Sequence, residues 1–491
     1  MMLLHATDRT IRRTLMWCFV ALVAGQITMT REPVRAGQTQ TFDLVIRNGR
    51  VIDPGSGLDA IRNIGLRGGR IEEISRNDLG GREVIDATGL VVAPGFIDLH
   101  AHGQDPFSSR LQALDGVTTA LELEAGVFPV TQWYADREGR AAINFGATVS
   151  HGRVRKSVLG DDRSVYGVAS DEQMREMESR IGLGLDQGSL GIGFGIAYTP
   201  GASREEIYRM FKVAAREGVV NFVHVRFAGQ IEPGSAVEAV KEMIANSAAT
   251  DAPVHIVHIG SSGLRQVPLL LEMIETARSK GLDITTEVYP YTAASTGIQA
   301  AIFDPGWRER LGADFGDIEW VASGERMTED SFNRYREQGG TIIAHIIPEE
   351  TVETALAHPL VMVASDGVGF VNGRAHPRGA GSFSRVLGRY VRERNVLSLM
   401  DALGKMTIMP ARRLEDAVPQ MRTKGRIRVG ADADITIFDS NTVLDRATFA
   451  EPAQGSAGII HVIVGGTSVV RDTEFVENAF PGRAVRRPMP R

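Results

Sequence analysis

The sequence predicts an α/β fold: a (β/α)8 TIM-like barrel joined to a small β-sandwich domain that both ends of the mature chain build. Short apolar runs typical of buried strands alternate with helical patterns through the middle of the chain, which indicates a parallel sheet. Eight such runs occur, the number that a closed barrel needs: 92–99, 117–123, 143–149, 190–196, 219–225, 253–259, 282–288 and 360–365. Strand patterns with glycine turns flank this region on both sides.

Helical spacing between the predicted strands is clearest at 204–215, where Ile207, Met210, Phe211 and Ala214 share one face. The connection between the seventh and eighth strands is much longer than usual. We therefore predict an insertion over the barrel mouth, at about 299–347, with a strand of its own at 341–347.

The flanking strand patterns lie at 42–52 and 63–71 on the N-terminal side, and at 424–439 and 459–466 on the C-terminal side. We predict that they combine in one composite β-sandwich domain, 37–92 plus 411–491. The barrel then takes 93–410.

The first 36 residues have the pattern of a secretory signal peptide. Arg9, Arg12 and Arg13 precede an apolar run at 15–24, which is too short to span a bilayer comfortably. This pattern predicts a periplasmic or secreted protein with no stable membrane span after cleavage; a disordered tail or a misplaced start codon is the alternative. The single cysteine, Cys18, lies in this segment, so the mature chain has neither disulfides nor thiolate ligands.

Composition excludes some functions. The 491 residues carry a net charge of −6, with 43% hydrophobic and 23% charged residues, as in an ordinary soluble globular protein. The sequence contains no basic stripe, so nucleic acid is not an expected partner. The expected partner is a small-molecule substrate.

A His-x-His motif ends the first predicted barrel strand. His100 and His102 are two residues apart, so their side chains point to the same side of a strand and can reach one cation. Neutral imidazole is the commonest side-chain ligand for transition metals.

Three further candidate ligands stand at or just past the ends of other predicted strands. His224 ends the fifth strand, His258 the sixth, and Asp366 follows the eighth. Active sites of such barrels lie at the C-terminal ends of the strands, so these side chains are expected to converge with the His-x-His pair. Together the five predict a metal site.

The second predicted strand carries two glutamates, Glu122 and Glu124, in an otherwise apolar run. Buried carboxylates are costly unless they are paired or bind a cation. Their spacing puts them on one face of the strand. Glu124, nearer the barrel mouth, is the candidate metal ligand, and Glu122 is predicted to lie deeper and to support the ligands from behind. The alternative is that both face solvated helices. A carboxylated lysine is excluded, because the fourth strand contains no lysine.

The run Pro-Gly-Phe-Ile-Asp-Leu-His-Ala-His at 94–102 resembles the first barrel strand of the amidohydrolase superfamily. Nearly all the chain after residue 40 resembles its D-aminoacylase branch, the N-acyl-D-amino-acid deacylases. The stretches that carry this resemblance are 150–155, 198–201, 287–292, 376–379 and 445–449. It implies a composite β domain, one or two divalent cations such as Zn²⁺, one site at His100, His102 and Asp366, and another at His224 and His258.

Two departures from the branch bear on the site. Alanine at 125 stands where the family usually has a cysteine ligand, and the neighbouring Glu124 would make the site harder, which favours two oxygen-bridged cations. The run 122–126 resembles a D-glutamate deacylase subgroup. However, Gly260-Ser261-Ser262 lacks the lysine often found after the sixth-strand histidine, so no cation there holds a side-chain carboxylate.

The resemblance implies attack by metal-bound hydroxide, with Asp366 as ligand and general base. Arg378 is a candidate bidentate clamp for the substrate carboxylate, with a surface arginine as the alternative. Four other side chains are candidate substrate contacts, or structural: Tyr289, Tyr291, Arg226 and His151. His255, at the start of its strand, is predicted to be structural.

The expected function is metal-dependent hydrolysis of linear amides, namely N-acyl-D-amino acids and among them N-acyl-D-glutamate. A dipeptidase or a cyclic-amide hydrolase on the same scaffold is the alternative within hydrolases. A non-catalytic binding protein would be expected to have lost ligands, whereas all five strand-end ligands are present.

Overall fold

The protein is described by a computed structural model that covers residues 41–489; the predicted signal peptide and Cys18 lie outside the described residues. The strands, in chain order, are β1 (Phe42–Asp53), β2 (Leu58–Arg67), β3 (Arg70–Ser75), β4 (Gly81–Asp86), β5 (Val91–Pro94), β6 (Phe96–Asp98), β7 (Val117–Val127), β8 (Asn144–Ser150), β9 (Gly191–Gly195), β10 (Val220–His224), β11 (Val254–Ile256), β12 (Ile284–Val288), β13 (Ala294–Gly297), β14 (Ile318–Trp320), β15 (Glu325–Arg326), β16 (Thr341–Ala344), β17 (Val361–Val363), β18 (Ile435–Phe438), β19 (Ile459–Val464), β20 (Thr467–Arg471) and β21 (Glu474–Phe475).

The α-helices are α1 (Pro106–Leu114), α2 (Val130–Ala135), α3 (His151–Leu159), α4 (Asp171–Asp186), α5 (Arg204–Glu217), α6 (Ala236–Thr250), α7 (Ile259–Gly263), α8 (Val267–Ser279), α9 (Trp307–Leu311), α10 (Glu329–Gln338), α11 (Glu349–Ala357), α12 (Arg378–Arg385), α13 (Leu399–Met406) and α14 (Ile408–Leu414). A π-helical stretch, Val386–Glu393, extends α12. No helix within residues 41–489 has both the length and the apolar character needed to cross a membrane.

Eight parallel strands form the barrel sheet, in the order β6-β7-β8-β9-β10-β11-β12-β17, which confirms the predicted fold class and strand number. The two terminal strands meet at the mouth, where Ala101 bridges Gly367. Deeper in, the Asp98 carboxylate at the end of β6 accepts hydrogen bonds from the backbone N–H and the hydroxyl of Ser365. A side chain thus replaces part of the ladder between the first and last strands.

Strands from both ends of the chain form one continuous nine-stranded sheet: β21-β20-β19-β18-β5-β1-β2-β3, with β4 also on β1. The strand β5 links the two ends, because it pairs in parallel with β1 and antiparallel with β18. The hydrophobic core of this composite sheet is aliphatic, and Ile46, Ile64, Val92 and Ile435 in it are fully buried.

The predicted first barrel strand, 92–99, is wrong in its extent because it joins two strands of different sheets. The strand β5 belongs to the composite sheet and β6 to the barrel. The break falls at Gly95, whose N–H leaves the barrel to bond the Asp434 carbonyl. A Cβ at Gly95 would lie 2.2 Å from the Thr118 hydroxyl, so only glycine fits this crossing point. Both strands are apolar and buried, which hides the break in the sequence.

The segment between β12 and β17 contains a four-stranded antiparallel sheet, in the order β13-β16-β14-β15, together with α9 and α10. Its own core contains Phe303, Trp307 and Phe332, with the last two rings stacked at 5.2 Å between centroids. Thr296 of β13 bonds the Tyr198 hydroxyl, 3.1 Å away, so this insertion reaches across to the end of the fourth barrel strand.

Replacing Phe96 by alanine is expected to lower the free energy of unfolding by about 3–5 kcal/mol. The ring is fully buried between Phe383 of α12 and Phe438 of the composite sheet, with centroids 5.6 and 6.4 Å away. Denaturant unfolding monitored by circular dichroism measures the change. Ile61→Ala, at a side chain 59% exposed, is the control and should stay within about 0.5 kcal/mol of wild type. Equal stability of the two variants would contradict this role for Phe96.

Candidate metal centre and its cavity

The two histidines after β6 converge with Asp366 at the barrel mouth. The Nε2 atoms of His100 and His102 are 3.1 Å apart, and Asp366 Oδ1 lies 3.4 Å from each of them. All three side chains come from the joined first and last strands. They form one face of a candidate cation site.

A second pair of imidazoles stands opposite, where His224 Nδ1 lies 3.0 Å from His258 Nε2. The carboxylate of Glu124, from the second barrel strand, lies between the two pairs. Its Oε2 is 3.5 Å from His102 Nε2, and its Oε1 is 3.5 Å from His224 Nδ1. Each oxygen thus faces one pair, which is the position of a bridging ligand.

These donors fit a divalent cation. Four ligands at the usual zinc–nitrogen distance of about 2.0–2.1 Å stand about 3.3–3.4 Å apart in a tetrahedron, close to the spacings here. Two groups have all their donor atoms within 4.8 Å of one another: His100, His102 and Glu124; His100, His258 and Asp366. The buried Oε1 of Glu124 has no hydrogen-bond partner among the described residues. Nitrogen and carboxylate ligands without sulfur suit zinc and harder divalent metals.

Charge and burial keep three of the donors in the protonation state that binds a cation. In contrast, although burial opposes protonation of His100, Asp366 and Glu287 raise its pKa to about 9. Burial and the neighbouring His224 lower the pKa of His258 to about 3, so this imidazole is neutral at physiological pH. Although burial opposes ionisation of Asp366, the Arg378 guanidinium holds the pKa of that carboxyl well below its usual range. Burial also opposes ionisation of Glu124, but the imidazole of His224 keeps its pKa below the ordinary value.

The outer nitrogens of the His-x-His pair have carboxylate partners. Glu122 Oε2 lies 2.9 Å from His102 Nδ1, on the opposite side of the ring from the Nε2 that faces His100. Glu287 Oε1 lies 2.6 Å from His100 Nδ1, and its other oxygen lies 3.0 Å from His255 Nε2. Such contacts fix the ring orientation and leave Nε2 free for a metal.

Replacing Glu287 by glutamine is expected to weaken zinc binding by about 10–100-fold. The glutamate is buried between two imidazoles, and although burial opposes its ionisation, His100 and His255 bring its pKa down to about 2. Glutamine is isosteric but neutral, so it cannot hold His100 with the same strength. Competition with a chromophoric chelator measures zinc affinity directly, and Thr285→Val, which removes only the outermost hydroxyl beyond His255, is the matched control. Unchanged affinity in the glutamine variant would refute the role.

The metal ligands open into a cavity of about 800 Å³. Arg378 and Tyr289, two of the predicted substrate contacts, line it. Arg378 is 1% exposed, its Nη1 lies 3.0 Å from Asp366 Oδ2, and its guanidinium stands 4.6 Å above the Tyr289 ring. It is therefore a buried cation beside the candidate base, not a surface arginine.

Three predicted substrate contacts are absent from the lining of this cavity, and each has a polar atom that contacts another side chain. Arg226 forms a two-pronged ion pair with Glu242 at 2.8 and 2.9 Å. His151 is fully buried and lies 2.8 Å from Glu206. Tyr291 donates to Asp445, 3.3 Å away. All three are corrected to structural roles.

Sequence reasoning gave no role to Glu287, the partner of His100, and missed two further residues of the site. Tyr198 lines the cavity, with its ring 4.8 Å from that of His224 between centroids. Its place directly after the fourth strand could have marked it as a candidate. Asp98 accepts the N–H of His100 and also ties β6 to β17, and the signal was a carboxylate inside an apolar strand.

The comparisons with known proteins agree with this geometry. A profile of the amidohydrolase family matches residues 83–470. The chain belongs to this family. This amidohydrolase is 32% identical to an N-acyl-D-glutamate deacylase of Alcaligenes xylosoxydans xylosoxydans, over 91% of this chain and 97% of the relative. It is 29% identical to a D-aminoacylase of the same organism, over 92% and 98%.

Solved structures give the same picture. An N-acyl-D-glutamate deacylase from Bordetella bronchiseptica, complexed with zinc and a phosphonate inhibitor, is 28% identical and superposes with a TM-score of 0.80, over 91% of this chain and all of that one. A D-aminoacylase described with a binuclear metal centre is 28% identical, with a TM-score of 0.78 and the same coverage. This amidohydrolase is accordingly a metal-dependent hydrolase of carbon–nitrogen bonds, with zinc or another divalent cation as its cofactor.

Proposed function

We propose that this amidohydrolase cleaves the amide bond of N-acyl-D-amino acids and releases a carboxylate and a free D-amino acid. The observation that carries the proposal is the buried Arg378–Asp366 pair at the wall of the metal-site cavity. It puts an anion-binding group next to a candidate base. The relatives named as D-glutamate deacylase and D-aminoacylase support the same substrate class.

The proposed mechanism needs a bound divalent cation and three side chains at the cavity wall. The six candidate ligands would hold a divalent cation, which would lower the pKa of a bound water and polarise the amide carbonyl. The Asp366 carboxylate takes the proton from the attacking water and delivers it to the leaving amine nitrogen. Arg378 holds the substrate α-carboxylate beside Asp366, and the Tyr289 hydroxyl, buried at the cavity wall, is placed to donate to the carbonyl oxygen.

A substrate panel on the zinc-loaded enzyme tests this function. N-acetyl-D-amino acids, their L-enantiomers, dipeptides and hydantoins are compared by release of free amine or ring opening. We expect turnover of the N-acetyl-D-amino acids with clear preference over the L-forms. Turnover of dipeptides or cyclic amides alone would overturn the proposal and favour the alternative hydrolases.

We also propose that the protein is exported to the periplasm or beyond. The support is the Arg9-Arg12-Arg13 cluster before a short apolar run, the pattern of a secretory signal. N-terminal sequencing of the protein from fractionated cells tests it. Cleavage between the apolar run and Thr41, with the product outside the cytoplasm, is expected; an intact N-terminus on cytoplasmic protein would refute export.

A further inference from the structure

One wall of the metal-site cavity is apolar and belongs to the insertion between β12 and β17. Six side chains of the insertion form this wall, which we call the apolar arm: Ile302, Phe303, Leu311, Trp320, Val321 and Ile342. Most of them are buried in the insertion's own core, so the wall is fixed in place. A cavity of this size and composition suits a substrate with a large apolar group.

The apolar arm adjoins the carboxylate clamp. Arg378 Nη2 donates to the Ser295 carbonyl of β13, 3.3 Å away. Ser295 pairs with Ile343 in the antiparallel ladder of β13 with β16, the strand that carries Ile342. A substrate whose α-carboxylate is held by Arg378 therefore has its Cα next to the arm. A side chain on that Cα would then lie within reach of the arm.

The described part of the insertion gives this wall no positive charge. Besides Arg378, the cations that line the cavity are Arg153 and Lys156 on α3, both exposed, and Arg374 in the segment after β17. Lys156 already pairs with Asp161 at 3.2 Å. A glutamate or aspartate side chain placed in the arm would therefore find no charged partner among the arm's own residues, and burying an unpaired carboxylate is strongly unfavourable.

We infer that the preferred substrates are N-acyl-D-amino acids with a bulky apolar side chain, which occupies the apolar arm, and not N-acyl-D-glutamate. The inference rests on the proposed function and narrows it. On this inference the preferred substrate differs from D-glutamate, the amino acid in the name of a relative that is 32% identical to this chain. The specificity is thus assigned to the insertion and not to the metal ligands.

The first test compares kcat/KM of the zinc-loaded enzyme for N-acetyl-D-phenylalanine, N-acetyl-D-alanine and N-acetyl-D-glutamate. We expect the phenylalanine substrate to exceed alanine by about 10-fold or more, from the apolar contact. We expect it to exceed glutamate by at least about 10²-fold, since glutamate loses that contact and also buries a charge. A kcat/KM for N-acetyl-D-glutamate equal to or higher than that for N-acetyl-D-phenylalanine would overturn the inference.

A charge placed in the arm gives the second test. Ile302 is half-buried, so Ile302→Lys adds a cation at the cavity wall without emptying the insertion's core. We expect the phenylalanine-to-glutamate ratio of kcat/KM to fall by at least about 10-fold in this variant. Ile61→Lys makes the same change on the composite sheet, at an exposed position, and should leave the ratio unchanged. An unchanged ratio in Ile302→Lys, with the insertion folded by circular dichroism, would refute the arm's role.

Binding without turnover separates the two proposals. If no N-acyl-D-amino acid is hydrolysed, the proposed function fails, and calorimetric binding of N-acetyl-D-phenylalanine and N-acetyl-D-glutamate to the zinc-loaded protein still tests the arm. Tighter binding of the phenylalanine compound would uphold the apolar subsite. Equal binding, or tighter binding of the glutamate compound, would reject it.

Discussion

Replacing Asp366 by asparagine is expected to lower kcat by about 10²–10⁴-fold, the range for losing a general acid–base group. Asparagine keeps the shape of the side chain, and its carbonyl oxygen can still face His100 and His102, each 3.4 Å away through Nε2. It cannot accept a proton from water or return one to the leaving amine. The measurement is kcat for the best N-acetyl-D-amino acid at saturating zinc, divided by the zinc content per chain.

Dividing by zinc content separates the proton-transfer role of Asp366 from its role as a candidate ligand. The control is Asp98→Asn, since Asp98 is a buried carboxylate nearby that accepts hydrogen bonds from Ser365 and from the backbone N–H of His100 and does not line the cavity. We expect that control to lower the unfolding temperature more than kcat. If Asp366→Asn with full zinc retained a tenth or more of wild-type kcat, another group would have to be the base.

The barrel could be predicted because its strands are local features of the sequence. Each is a short buried run bounded by turn residues, and chain order alone gives the order of parallel strands around the barrel. The error at 92–99 has a physical cause. Composite-sheet and barrel strands are equally buried there, and only the crowding of Gly95 against Thr118 marks the crossing from one sheet to the other.

The candidate ligands were predictable for the same reason, because strand ends meet at one mouth whatever the helices do. Contacts that depend on helix placement were not. Arg226 and His151 follow strands, yet their partners Glu242 and Glu206 come from α6 and α5, whose rotation the sequence does not fix. Glu287 contacts His100 although 187 positions separate them in the sequence, and no local sequence pattern predicts that contact.

We expect two zinc ions per chain in the wild-type protein and one or none after Glu124 is replaced by alanine. Its two oxygens face different imidazole pairs, each at 3.5 Å, so one carboxylate serves both candidate sites. Without it, the pair His224 and His258 has no bridging anion to offset the charge of a second cation. We expect kcat/KM to fall by at least about 10²-fold, beyond the range for an outer partner of a ligand.

Glu122 offers a matched control on the same strand, two residues away and equally buried. Its carboxylate contacts His102 through Nδ1 and none of the other candidate ligands described, so Glu122→Ala should weaken zinc affinity by about 10–100-fold while two ions still bind at saturation. Metal content at saturation, measured by mass spectrometry after gel filtration, distinguishes the two variants. Two zinc ions in Glu124→Ala would return Glu124 to a structural role and leave water as the bridge. One ion or none there, with two in Glu122→Ala, would identify Glu124 as the bridging ligand.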